Sequence, residues 1–216
     1  QAEDGIRDIG VTGVQTCALP IYLTSLLADR WPAAAITGVD SSEAMIRAAS
    51  DSSAAERVSF HRADLRDWLA AAEPGGVDVL VSNATLQWLP EHLDLVPALV
   101  GAVKPGGWLA FQVPGNHDEP SHTLRAALAA EPPYAVHTAG VAAPHAHRAE
   151  VYLRALQALG CEVDAWETTY LHVLHGEDPV FTWVSGTGAR PTLQALPTDL
   201  RARFEDELKA RLRAAY

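Results

Sequence analysis

Residues 76–89 read GVDVLVSNATLQWL, and Val77–Ser82 is a near-continuous apolar run rich in valine. A run of this kind suits a strand buried on both faces, the place of an interior strand in a parallel sheet. It stops at Ser82-Asn83, two polar side chains that favour turns. Leu86, Trp88 and Leu89 then open the next element. Open α/β sheets bind ligands outside the carboxyl ends of their strands, so the Asn83 corner is a place to look for chemistry.

The flanking sequence extends the pattern. Leu23, Leu26, Leu27 and Trp31 have helical spacing, and Pro32 ends the run. Ala33–Val39 is a short strand, followed by Asp40. Ser41 or Ser42 can cap a helix from Glu43 to about Ala49. Val58–Arg62 alternates as a strand and leads into Ala63-Asp64-Leu65. A helical segment around Asp67–Leu69 is broken by Pro74-Gly75-Gly76. A helix is expected over Leu89–Val103, with Pro97 as a kink or short break, then a sharp turn at Lys104–Gly107 and a strand at Trp108–Val113. Strand and helix alternate from 23 to 114, which predicts right-handed βαβ units and a parallel sheet.

Beyond 115 the pattern changes. Helices are expected at 121–130 (Ser121 as cap), 148–159 ending at Gly160, 179–185 and 199–216, with loop between 131 and 144 and a strand over 161–174. The fold class expected is therefore α/β: a Rossmann-like, doubly wound, mostly parallel sheet. Residues 115–160 and 175–216 are expected to contribute a helical cap over the site.

Net charge is −11 over 216 residues, which argues against nucleic acid as a partner. No apolar run approaches the ~20 residues a membrane span needs. Two cysteines, Cys17 and Cys161, are too few for a disulfide framework. No secretory signal is read at the start, and the expectation is a cytoplasmic monomer.

Residues 1–21 stand apart. They have no clear period, and the string resembles the translation of a sequencing-library index adapter, with Ile9-Gly10 at the variable index. That resemblance implies a non-native segment, with native sequence beginning near Tyr22. Such a segment is expected either to pack poorly or to fill a first-strand position through Gly13–Cys17.

Three strand ends carry polar side chains in series: Asp40, Asp64 and Asn83. A carboxylate ending the second strand can accept two hydrogen bonds from ribose hydroxyls. A carboxylate ending the third can accept one from an adenine amino group. Each alone also fits a helix cap or a solvated turn, and Asp40 alone also fits a nicotinamide-nucleotide enzyme. Asp64 and the Lys104–Gly107 turn favour another nucleoside cofactor.

The set Gly38–Ser42, Ala63–Leu65, Asp78–Ala84 and Leu99–Gly107 resembles the class I S-adenosylmethionine-dependent methyltransferases. More narrowly, Asn83–Leu89, Val113–Asn116, Glu119–His122, Thr168–Tyr170 and Trp183–Pro191 resemble the family of trans-aconitate 2-methyltransferases. The resemblance implies S-adenosylmethionine as cofactor, held by Asp40, Ser41, Met45, Asp64, Leu65, Asn83 and Ala84. It implies methyl transfer to a carboxylate of a small polycarboxylic acid such as trans-aconitate, with Trp88, His117, Tyr170, Trp183 and Arg190 as substrate-binding candidates. No metal is implied, and no catalytic base, because a carboxylate acceptor is already ionised at pH 7. The family's glycine-rich loop before Leu23 and a last strand after 216 are not found in this sequence. Two alternatives stay open: another small-molecule acceptor, or an inactive truncated fragment. Seven of nine histidines follow residue 115, which suggests an anion-accepting second half.

Overall fold

The computed structural model describes residues 13–17, 21–52 and 56–216. Most of the adapter-like segment lies outside the described residues. The part within them includes β1 (Gly13–Cys17), followed by α1 (Ile21–Arg30). The order continues β2 (Ala35–Asp40), α2 (Glu43–Ser50), β3 (Val58–Arg62), α3 (Leu65–Ala71) and β4 (Val77–Asn83). Two 3-10 turns, Leu86–Trp88 and His92–Leu95, lead to α4 (Val96–Ala102) and β5 (Val103–Gln112). The remaining helices are α5 (Pro120–Ala129), α6 (Ala135–Thr138), α7 (Ala149–Ala158), α8 (Pro179–Ser185), α9 (Arg190–Ala195) and α10 (Thr198–Ala215).

The five strands form one sheet in the order β3-β2-β1-β4-β5, every pairing parallel. This is the arrangement of a Rossmann-like sheet, with the order reversing between β1 and β4. Gly13–Cys17 occupies the central slot, paired to Ala35–Val39 on one side and Val79–Ser82 on the other.

Strand β4 earns its valine-rich sequence by facing two cores. Val79 and Val81 pack with Ala28, Ile36, Val58, Leu27 and Trp31. Leu80 points the other way and packs with Leu65, Leu86 and Leu99. Alternate residues serve opposite faces because the side-chain period of a strand is two.

Several local expectations are corrected. In α1 Thr24 and Ala28 are buried, Leu27 and the following Trp31 pack partly buried beside Ala28, and Leu26 is 45% exposed. Leu89–Val103 is not one helix. Pro97 lacks an N–H and would clash with the carbonyl four residues back, so the α-helix begins only at Val96, with Pro97 in its first turn. The Lys104–Gly107 turn is enclosed in β5 as an irregularity: Val103 pairs with Val77 and Trp108 with Val79. Ser121 is not a helix cap. Glu119 takes that position, Pro120 is the first helical residue, and the Ser121 N–H donates to the Tyr216 hydroxyl at 3.3 Å.

The run 161–174 forms no strand. Its alternation satisfies local preference, but a strand also needs a neighbour for its backbone groups. No described residue offers one. The expected loop 131–144 contains the single turn α6, and α9 was not anticipated.

The chain divides into two compact units. One comprises residues 1–113 and 147–166, the other 114–146 and 167–216. The second unit has its own core of Leu128, Tyr134, Val184, Ala189, Leu193, Phe204 and Leu208. Its α10 is pinned by paired ions, Arg211 with Glu131 and Arg213 with Asp178.

Candidate cofactor cleft and anion-binding residues

The first unit has a cleft of about 220 Å3 at the carboxyl ends of its strands, lined by Val39, Asp40, Ser41, Ala63, Asp64, Leu65, Ala84, Thr85, Trp88 and Leu89. Parallel pairing brings these strand ends together: Asp40 ends β2, Asp64 follows β3, and Ala84 follows β4.

Asp40 Oδ1 accepts the Ser42 N–H at 2.7 Å, which fixes the carboxylate at the strand end. Ser42, not Ser41, caps α2, its Oγ accepting the Met45 N–H at 3.4 Å. The other oxygen of Asp40 makes no hydrogen bond among the described residues, so it can accept one from a ligand hydroxyl.

Asp64 caps α3. Its Oδ1 accepts from the Arg66 backbone N–H at 2.9 Å and from Arg66 Nε at 2.8 Å, and Oδ2 accepts from Arg66 Nη2 at 2.7 Å. The guanidinium bonds, helped by the backbone N–H, hold the Asp64 pKa down to about 2. A carboxylate has roughly four acceptor positions. Three are used, which leaves one, on Oδ2, for an amino group of a ligand.

Ala84 is the strained point of the cleft, with φ of 52°. Left-handed backbone is unfavourable for a residue with a Cβ, and it persists where surrounding structure holds it. The Ala84 N–H donates to the Gln112 carbonyl at 3.0 Å, and its own carbonyl accepts from Gln87 Nε2 at 2.7 Å. Both ends of the residue are clasped, so the chain turns sharply off β4 and carries Trp88 and Leu89 to the cleft wall. Gln87 was not foreseen, yet it is 4% exposed and its Oε1 has no partner. A glutamine between Leu86 and Trp88 in a turn is the available sequence signal.

Of the seven residues expected to hold the cofactor, Asp40, Ser41, Asp64, Leu65 and Ala84 line this cleft. Met45 and Asn83 do not. Met45 is 38% exposed on α2. Asn83 contributes its carbonyl, which accepts from the Thr85 hydroxyl at 3.4 Å. Trp88, expected on the substrate side, lines the same cleft.

The other four substrate candidates lie in the second unit. The His117 and His122 rings meet edge to face, centroids 5.2 Å apart. Neither ring nitrogen of His117 has a hydrogen-bond partner. Burial pulls the His117 pKa down, His145 and Arg125 adding to it, while the Pro114 carbonyl and Asp118 pull weakly the other way. Burial likewise lowers His122, with His117 and Arg125 contributing. Trp183 stacks obliquely on His172 at 4.7 Å, and His172 lies 6.4 Å from Tyr170, forming an exposed aromatic row. Arg190 begins α9 and is exposed in a shallow depression with Ser185, Gly186, Gln194 and Arg201. The structure thus brings His117 to His122 and Trp183 near Tyr170, but Arg190 lines a separate depression.

The largest omission from the sequence reading is Arg125, 7% exposed in the middle of α5. The signal was available: Ser121, Arg125 and Leu128 recur at helical spacing on the buried face.

Residues 17–111 match the family described as "Methyltransferase domain". The chain is 49% identical over 205 residues to trans-aconitate 2-methyltransferase of Streptomyces coelicolor, covering 91% of this chain and 67% of that protein. It is 46% identical over 203 residues to the enzyme of the same name from Streptomyces avermitilis, covering 91% and 74%. Among solved structures, the cyclase SpnF superposes with a TM-score of 0.54 at 18% identity, covering 99% of this chain and 70% of that one. This last likeness is one of fold.

Proposed function

The chain belongs to the trans-aconitate 2-methyltransferase family of class I S-adenosylmethionine-dependent methyltransferases, and we propose that it methylates a carboxylate of trans-aconitate or a closely similar polycarboxylate, giving a monomethyl ester. The observation that carries the cofactor half is the pair of hydrogen-bond acceptors in the cleft. Asp40 and Asp64 stand at neighbouring strand ends, each with an acceptor position to spare. That suits a nucleoside: ribose hydroxyls at Asp40, the adenine amino group at Asp64, and the buried Val39 and Leu65 as apolar walls.

S-adenosylmethionine supplies an electrophilic methyl group carried on a sulfonium. The acceptor carboxylate, with a pKa near ~4, is ionised at neutral pH, so the protein has no proton to remove. Its residues have two tasks, to orient the acceptor and to exclude water from it. Trp88 is the candidate wall in the first unit. His117, Tyr170, Trp183 and Arg190 are the candidates in the second, with Arg190 clamping a carboxylate that is not methylated. The net charge of −11 supports a small-molecule partner over nucleic acid or an anionic membrane, and no helix among the described residues is long and apolar enough to cross a membrane. We take the working unit to be a monomer, which light scattering checks.

The test is methyl transfer from labelled cofactor to trans-aconitate and related di- and tri-acids. Activity on polyacids is expected, with KM for the acceptor raised roughly ten- to a hundred-fold in Arg190→Gln. Activity on a neutral phenol or amine and on no polyacid would overturn the substrate class. Wild-type kinetics in Arg190→Gln would remove the clamp.

A further inference from the structure

Arg125 presents a problem that packing does not explain. It lies on the buried face of α5, 7% exposed, and donates one hydrogen bond, from Nη1 to the Thr192 hydroxyl at 2.8 Å. Thr192 is itself buried and uncharged. The Nε of Arg125 has no partner, and no carboxylate among the described residues pairs with the guanidinium. Most other arginines of the second unit behave differently: Arg201, Arg203, Arg211 and Arg213 all reach an acid. A buried cation left without a counter-ion is costly, and such a group normally has an anion to answer for it.

One neighbour, His117, shares the deficit, and His122 lies between the two. His122 precedes Arg125 by three residues, so both rise from one side of α5. His117 meets His122 edge to face, and both its ring nitrogens are buried without a well-formed hydrogen bond, the Pro114 carbonyl acting on the ring only weakly. Opposite them runs the segment that carries Thr192. Gly188 in that segment has no room for a side chain: a Cβ there would come within 2.8 Å of His122 Cε1. The glycine lets the backbone close against the imidazole. So α5, the turn before it and the Gly188–Thr192 segment bring together a guanidinium and two half-buried imidazoles; no acid among the described residues pairs with the guanidinium, and Asp118 acts on His117 without a hydrogen bond.

We propose that Arg125, with His117 and His122, forms a carboxylate-binding subsite for the acceptor. This rests on the polycarboxylate reading above. The guanidinium offers Nε–H and a second N–H in a fork that matches a carboxylate. Each imidazole adds one ring N–H. Arg125 is the desolvated cation of this unit, whereas Arg190 is open to water, so the tighter hold on a carboxylate belongs to Arg125.

Calorimetry with propane-1,2,3-tricarboxylate as probe tests this on the full chain, with its neutral triamide as control. Arg125→Met alone would leave the Thr192 hydroxyl unpaired, so the informative variant is Arg125→Met with Thr192→Val, which removes both partners together. Thr192→Val alone keeps the cation and serves as the packing control. The wild type is expected to bind the tricarboxylate and not the triamide. The double variant is expected to bind it about 10- to 100-fold more weakly, and Thr192→Val within about threefold of wild type, since the ion contact outweighs a neutral one. Unchanged binding in a folded double variant would overturn the subsite while leaving the polycarboxylate reading intact. Equal loss in Thr192→Val would assign the effect to packing and also overturn it. A wild type that binds no tricarboxylate would take both readings down together.

Discussion

His92 Nε2 lies 2.8 Å from the hydroxyl of Tyr152, and both residues are buried although 60 positions separate them. The geometry assigns the protons. Nδ1 of His92 faces the Leu89 carbonyl at 2.8 Å, an acceptor only, so Nδ1 carries the hydrogen. Nε2 of the neutral ring then accepts from the Tyr152 O–H, whose oxygen in turn accepts the His147 N–H at 3.0 Å. The chain of bonds ties α7 to the turn that follows Leu89, one of the cleft residues. Tyr152→Phe is therefore expected to cost about 1–3 kcal/mol, by stripping Nε2 of its donor in a buried place. Urea unfolding of the variant measures it, and a midpoint equal to wild type would show the bond to be dispensable.

Asp40→Ala should weaken cofactor binding by about 1–3 kcal/mol, roughly ten- to a hundred-fold in Kd, because ribose hydroxyls would lose their acceptor in a partly closed cleft. Asp64→Ala differs in kind. It also removes the cap of α3 and frees Arg66, so lower affinity should come with lower stability. Isothermal titration beside thermal melts separates the two. Unchanged affinity in Asp40→Ala would take Asp40 out of the site.

The central place of Gly13–Cys17 leads to a third expectation. This segment pairs on both sides, so its loss would expose two rows of backbone donors and acceptors in the middle of the sheet. Replacing residues 13–17 by a flexible Gly/Ser sequence should lower stability by several kcal/mol, on the order of one per hydrogen bond lost. Denaturant titration reads this directly. A change within about 0.5 kcal/mol would mean that the adapter-like segment contributes no strand in solution.

How much of this was legible beforehand differs by element. Strand β4 could be read because burial on two faces leaves a mark in composition, Val79 and Leu80 both apolar for different cores. That Asp40 and Asp64 stand at one rim could be read because parallel pairing forces successive strand ends together. The run 161–174 misled, since alternation reports a side-chain pattern and says nothing about whether a partner strand is present. Arg125 is hidden in the sequence for the opposite reason. An arginine in a helix reads as solvated, and only the packing of α5 against α9 and the turn before it shows that this one is enclosed.

Two histidines of the second unit, His117 and His122, give a pH dependence with a definite sign. Burial lowers the pKa of both His117 and His122, so the folded protein holds fewer protons on them than the unfolded chain, where histidine titrates near ~6.5. The unfolded state then takes up protons first on acidification. Stability from this source is fully present above that pH and is lost as the pH falls below it, toward the folded-state values. Thermal melts from pH 8 to 5 should show a steeper decline for wild type than for His117→Asn with His122→Asn. Parallel curves would mean that the rings titrate as they do in water.

At the opposite rim from the cleft, the irregularity between β4 and β5 sets Lys104 Nζ 3.0 Å from Asp78, and the Gly75 N–H donates to the Gly101 carbonyl at 2.8 Å. Gly107 is hemmed in there, a Cβ meeting the Asp78 carbonyl oxygen at 2.5 Å. Glu73, against Gly76, is exposed. Strand length therefore insulates one end of the sheet from the other. A fluorophore or surface tether attached at position 73 would report on the protein without intruding on ligand exchange, provided the neighbouring glycines are left alone.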